Sequence, residues 1–190
     1  MDQYLDDGLL ALLPVYTATD RAIVVTLKGE HNEGRSVPWL VEKLATHYTL
    51  DINELRRLYG EILSIKKHVT IPINGDLVLI PVKTRVAETP GETTIGYCSL
   101  LHIEEVMNYD GPGAWLSIVR YSNGFELHAL NTTDTLRDKI RQAEQVRHHY
   151  GKRRCQGPLH TGMSLQDIRF PNCDCVLLDM FRSILKFNGE

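Results

Sequence analysis

The residues best suited to chemistry lie in IRQAEQVRHHYGKRR, 140–154. The chain is net −3, yet residues 135–154 hold seven Lys and Arg against two Asp and Glu. Residues 1–134 carry 11 against 18. Ammonium and guanidinium groups gathered on one surface release counterions when they meet a nucleic-acid backbone, so the chemistry implied is polyanion docking. A basic run is more often a solvated helix face, which is the plainer reading.

Helical spacing puts Leu136, Ile140, Ala143 and Tyr150 on one side, with Val146 near the border. Arg137, Arg141 and His148 fall opposite, and Lys139 and Arg147 widen the basic surface. Gly151 is expected to end this helix. Lys152, Arg153 and Arg154 then form an extended basic tail suited to a narrow minor groove. His148 and His149 point about 100° apart on a helix, which suits phosphate contacts better than a shared metal ion. The acidic remainder would repel DNA elsewhere and orient its approach.

Other constellations are weak. There is no Walker loop, no dinucleotide-binding glycine pattern after a strand, no nucleophile elbow and no H-E-x-x-H. Glu104 and Glu105 are neighbours, so on a strand they face opposite ways. Cys98 and His102, four apart on a strand, would be more than ~12 Å from each other. Cys155, His160, Cys173 and Cys175 lack the spacing of a standard zinc site, and the four cysteines read as reduced thiols. No enzyme, metal or cofactor is expected.

The elements that must position the basic stretch are legible in outline. LLALL (9–13) and AIVVTL (22–27) read as strands, and GEHNEGRS (29–36) as a polar loop. Pro38 opens a helix with a Leu40, Val41, Leu44, Tyr48 stripe. Asp51-Ile-Asn-Glu54 caps a second helix, with Gly60 at its end. LVLIPV (77–82) contains Pro81 and so reads as an edge strand or strand end. Strands follow near 95–103 and 114–121. Ser122-Asn123-Gly124 marks a hairpin, and Asn131-Thr-Thr-Asp134 starts the long helix over 133–150. Residues 176–187 form a last, strongly apolar helix that must pack. This order predicts an α+β fold: an antiparallel meander, a short helix pair and C-terminal helices. Its length suits one domain over 1–154 with an extension over 155–190.

The N-terminus, MDQYLDDGLLALLPVY, is acidic and interrupted by Pro14, unlike a signal peptide, and no apolar run is long enough to cross a bilayer. A cytoplasmic location is expected.

Residues 59–150 resemble the competence transcription factor family ComK. The matching segments, in order, are YGEILSIKKHVTIPI (59–73), LVLIPVKTR (77–85), GYCSLLHI (96–103), VRYSNGFELHAL (119–130) and TLRDKIRQAEQVR (135–147). The resemblance covers about half of the chain and rests on order and spacing. It implies a non-enzymatic regulator that binds A/T-rich double-stranded DNA as a homo-oligomer, with RNA polymerase and a Clp protease adaptor as partners. It places DNA contacts at Lys83, Arg85, Arg137, Lys139, Arg141 and Arg147; Lys152, Arg153 and Arg154 rest on charge alone. A second pattern, LVEKLATHYTLDINELRRLY (40–59) followed by GDLVLIPV (75–82), is similar to the LysM module. It implies the alternative of a carbohydrate-binding or protein-interaction module without DNA binding.

Overall fold

A computed structural model describes residues 1–17 and 21–155, with side chains to Arg153. The fold is α+β. Residues Met1–Tyr150 form one compact unit.

After a short helix α1 (Asp2–Asp6), three strands run as a meander: β1 (Leu9–Pro14), β2 (Ala22–Thr26) and β3 (Gly29–Glu33). The segment 29–36 was expected as a loop. Its first five residues instead continue the sheet, because β2 offers a full ladder from Ala22↔Glu33 to Thr26↔Gly29. Local polarity is overridden by backbone pairing at an edge whose side chains stay wet.

Helix α2 (Val37–His47) begins with Pro at its first turn and buries Val37, Leu40, Val41, Leu44 and Ala45. Helix α3 (Ile52–Leu63) is capped by the Asp51 carboxylate, which accepts from the Asn53 and Glu54 amides. Gly60, expected from sequence to end α3, does not end it. The helix runs three residues further and closes at Ser64 in the left-handed region. Gly60 is needed for a different reason: a Cβ there would lie 2.8 Å from the Ile65 carbonyl oxygen.

Strands β4 (Ile71–Pro72), β5 (Val78–Lys83) and β6 (Ile95–Ser99) complete a six-stranded antiparallel sheet of order β3-β2-β1-β6-β5-β4. Pro81 sits in β5 beyond the reach of two-residue β4 and pairs across only to Tyr97 of β6, so its missing N–H costs no ladder bond. The strands flanking the helix pair, β3 and β4, lie at opposite edges of this sheet. Segment 29–82 therefore does not close on itself as a βααβ unit.

The expected strands near 95–103 and 114–121 resolve into three elements. Strand β6 stops at Ser99, and His102 turns the chain with φ 70°. Strands β7 (Ile103–Asn108), β8 (Ser117–Tyr121) and β9 (Glu126–Ala129) then form a separate three-stranded meander. Its second turn is the Ser-Asn-Gly hairpin, with Gly124 at φ 83°.

Alternation in β5 shows how the layers stack. Val78, Ile80 and Val82 enter one core with Val119, Tyr121, Leu127, Leu136, Ala143 and Val146. Leu79 enters the other, with α2 and Ile71. The large sheet is thus covered by α2 on one face, and by the small sheet and the last helix on the other.

That helix, α4, spans Thr133–Cys155. Gly151 does not stop it, and Lys152 and Arg153 are helical rather than extended. The expected helix at 176–187, with His160, Cys173 and Cys175, lies outside the described residues.

Candidate nucleic-acid interface

The outward face of α4 is not the uninterrupted basic strip expected. Up to Tyr150 it exposes Arg137, Arg141 and Arg147, but also Asp134, Asp138 and Glu144. Arg137 approaches Asp134 at 3.6 Å and donates to the Val106 carbonyl at 3.4 Å. Arg141 is paired with Asp138. Both are neighbours three apart on the helix, where opposite charges meet readily. Counting cations along the sequence overlooked this because the interleaved carboxylates lie within reach of the same side chains. Arg147 is exposed and pairs with no carboxylate among the described residues.

A groove of about 300 Å³ separates α4 from the edge strand β7. Leu100, Ile103, Val106 and Ile140 line it, with Glu104, Glu105 and Glu144 against Arg137 and Arg147. Three carboxylates against two guanidiniums make this groove unfit for a polyanion.

Lys83 is exposed at the end of β5. By strand alternation it shares the face of Leu79, opposite that of Val82, so it lies across the sheet from α4. Arg85 is committed within the fold. Its guanidinium meets Glu92 at 3.0 Å and Glu88 at 3.8 Å, and lies 4.5 Å from the centre of the Tyr16 ring. The Glu92 carboxyl is held below its ordinary range by the Glu88 amide first, then by the Thr89 hydroxyl and Arg85.

His149 is not an outward contact. Its ring packs edge-on against Tyr59 of α3, with centroids 5.8 Å apart, and its Nδ1 is buried without a hydrogen-bond partner. His148 is exposed, as are Lys152 and Arg153; the Arg154 side chain lies outside the described residues.

Lys139 departs furthest from expectation. Assigned to the outer basic surface, it is half-buried. Burial holds its ammonium below the ordinary lysine range. The acid nearest in chemistry is the Cys98 thiol, which burial pushes up to about 12. That thiol stays protonated at neutral pH and supplies no counter-charge. Tyr121, whose hydroxyl donates to the Leu10 carbonyl at 3.1 Å, is a hydrogen-bond neighbour of Cys98.

The turn Lys66-Lys67-His68 lies between α3 and β4. All three residues are exposed, and His68 has a left-handed φ of 54°. Packing brings the turn to α4: Ile65 and Val69 join the core that holds Ala143 and Val146, and Tyr150 Oη donates to the Ile73 carbonyl at 3.3 Å. The His68 imidazole is held below its ordinary range by partial burial first, then by the charges of Lys139 and Lys67. Lys66, Lys67 and Lys139 pair with no carboxylate among the described residues. Sequence reasoning assigned only Lys139 of this group. The Lys-Lys-His run was visible, but nothing local in it signals that α4 brings a further ammonium alongside.

Like charges held together without compensation oppose folding, and an arriving anion relieves the repulsion. Lys67, His68 and Lys139 therefore form a local concentration of basic groups with no carboxylate paired to them among the described residues. Among the described residues no helix is long and apolar enough to cross a membrane. No protein-family model, curated protein or solved structure matches the chain.

Proposed function

We propose that this chain is a non-enzymatic, sequence-preferring DNA-binding transcriptional regulator of the kind the ComK resemblance implies. One observation carries the reading: Lys67 and His68 meet Lys139 of a distant segment, beside exposed Lys66 of the same turn, without a balancing carboxylate among the described residues. Phosphates supply the missing charge. Lys66 and Lys67, both exposed, make the first contacts, and Arg147 extends the surface along α4. Exposed ammonium groups contribute through counterion release, so binding weakens steeply as salt rises. A/T-rich duplex is the preferred partner, a homo-oligomer the working form, and RNA polymerase and a Clp protease adaptor the protein partners.

The test is a gel-shift titration with A/T-rich and G/C-rich duplexes at two salt concentrations, on the wild type and on Lys66→Gln/Lys67→Gln. The proposal expects tighter binding to the A/T-rich duplex, and a weaker, less salt-sensitive variant. Equal affinity of variant and wild type removes the turn from the interface. Absence of salt-dependent binding to either duplex overturns the function.

A further inference from the structure

The groove between α4 and β7, unfit for a polyanion, suits a different ligand. We propose that it takes an extended segment of a partner protein that carries lysine or arginine and adds to β7 as a fourth strand of the small sheet. The inference goes beyond the DNA-binding reading and does not depend on it.

Three observations converge on the groove. First, β7 is an outer strand of its sheet and pairs only with β8. The Tyr109 amide donates to the Leu116 carbonyl at 3.1 Å, and alternation back along the ladder turns the amides and carbonyls of Asn108 and Val106 away from β8. The Arg137 guanidinium of α4 donates to that Val106 carbonyl at 3.4 Å, which places the carbonyl on the groove side. The contact is long and exposed, so a peptide N–H can take its place. Second, Leu100, Ile103, Val106 and Ile140 give an apolar lining to a volume of about 300 Å³, room for a short run of side chains. Thr133 Oγ1 donates to Asn108 Oδ1 at 3.0 Å and ties the first turn of α4 to the end of β7, so the two walls are joined. Third, charge selects the occupant. Glu105 is already shared with Arg120 at 3.5 Å, and Arg137 with Asp134 at 3.6 Å. Exposed Glu104 and Glu144 pair with no cation among the described residues, against one uncommitted guanidinium, Arg147. The surplus is negative and favours a basic peptide.

Strand addition of this kind draws affinity from main-chain hydrogen bonds and specificity from alternate side chains. Apolar residues of the peptide cover the lining, and lysine or arginine reaches Glu104 and Glu144. A second copy of this chain brings the same surplus of carboxylates, which disfavours β7 pairing with itself. The irregular register between Ile103 and Glu105, together with the glutamates, keeps indiscriminate strands off this edge.

The experiment pans a random-peptide phage library on the full chain and measures the synthesised winners by fluorescence anisotropy. The winners are expected to alternate apolar residues with Lys or Arg. Glu104→Lys/Glu144→Lys is expected to weaken their binding about tenfold. The same variant should gain affinity for the winners remade with Glu at the basic positions, which also reports that it is folded. N-methylation of one alternate set of peptide amides is expected to weaken binding about fivefold, and of the other set to leave it unchanged. No enriched sequence, or winners equally tight on the charge-reversed variant, overturns the proposal. So does indifference to N-methylation at every position, because no strand is then added. A dimer of the free chain that the winners dissociate gives the groove to a second copy and overturns it as well. No duplex is present, so a failure of DNA binding leaves these readouts standing.

Discussion

Lys139 of α4 and His68 of the α3–β4 turn, far apart in sequence, lie near enough for the ammonium to disfavour protonation of the imidazole. Neither has a carboxylate to offset it among the described residues. This arrangement opposes folding, so removing one charge is expected to stabilise the protein. Lys139→Met keeps the length and the apolar stem and deletes the half-buried ammonium. It is expected to raise stability by about 1 kcal/mol, discounted for partial exposure, and to weaken DNA binding. Urea denaturation and gel shift measure the two effects. A destabilised variant would show that Lys139 has a counter-charge after all.

The same pair sets a pH dependence. Burial and the two lysines hold the folded-state pKa of His68 below its ordinary 6.5. Between the folded and unfolded values the unfolded chain binds more protons. Stability therefore rises with pH through this window, is fully present above 6.5, and is lost as pH falls towards the folded value. His68→Gln is expected to flatten that part of the profile. Melting temperatures of variant and wild type between pH 5 and 8 check this. An unchanged slope would assign the dependence to other groups.

The arginines of α4 should not be equivalent. Arg137 and Arg141 already face Asp134 and Asp138, whereas Arg147 has no such partner among the described residues. Arg147→Ala is expected to weaken DNA binding more than Arg137→Ala or Arg141→Ala, by about 1 kcal/mol. Asp138→Asn, which frees Arg141, should strengthen it slightly. Fluorescence anisotropy with one labelled duplex gives the ranking, and equal losses for all three arginines would restore a continuous basic strip.

Gly60 tests how the Lys66–His68 turn is held. The Ile65 amide donates to the Gly60 carbonyl at 2.9 Å, and the Ile65 carbonyl leaves no room for a Cβ. Gly60→Ala improves intrinsic helix propensity by about 1 kcal/mol yet is expected to destabilise by about 2 kcal/mol, because backbone must move. The displaced turn should also bind DNA less tightly. A neutral or stabilising outcome in thermal denaturation would show that the 64–68 backbone yields freely.

The helix pair, the Asp51 cap, the Ser-Asn-Gly hairpin and the start of α4 were all readable from short patterns, since each is fixed by local sterics and capping. Strand β3 was not. GEHNE has no strand signal of its own and becomes a strand because β2 presents an open ladder. The extension of α3 past Gly60 was hidden for a similar reason: the glycine answers to a neighbouring carbonyl, not to a helix end.

The candidate site divides the same way. By itself the sequence determined that a long basic helix exists and which of its residues are apolar. It also contained the Lys66-Lys67-His68 run and the carboxylates at 134, 138 and 144. Which charges compensate one another is a matter of distances of a few ångströms, and helical neighbours alone settle only part of it. Helix geometry pairs Arg137 and Arg141 with Asp134 and Asp138, whereas the tertiary structure decided that Arg85 is enclosed by Glu92 and Tyr16 and that His149 packs on Tyr59. It also decided that Lys139 is half-buried and near enough to His68 of the distant turn to act on its imidazole. Electrostatic energy falls with distance through space, and chain order carries no information about that distance until the sheets and α4 have packed.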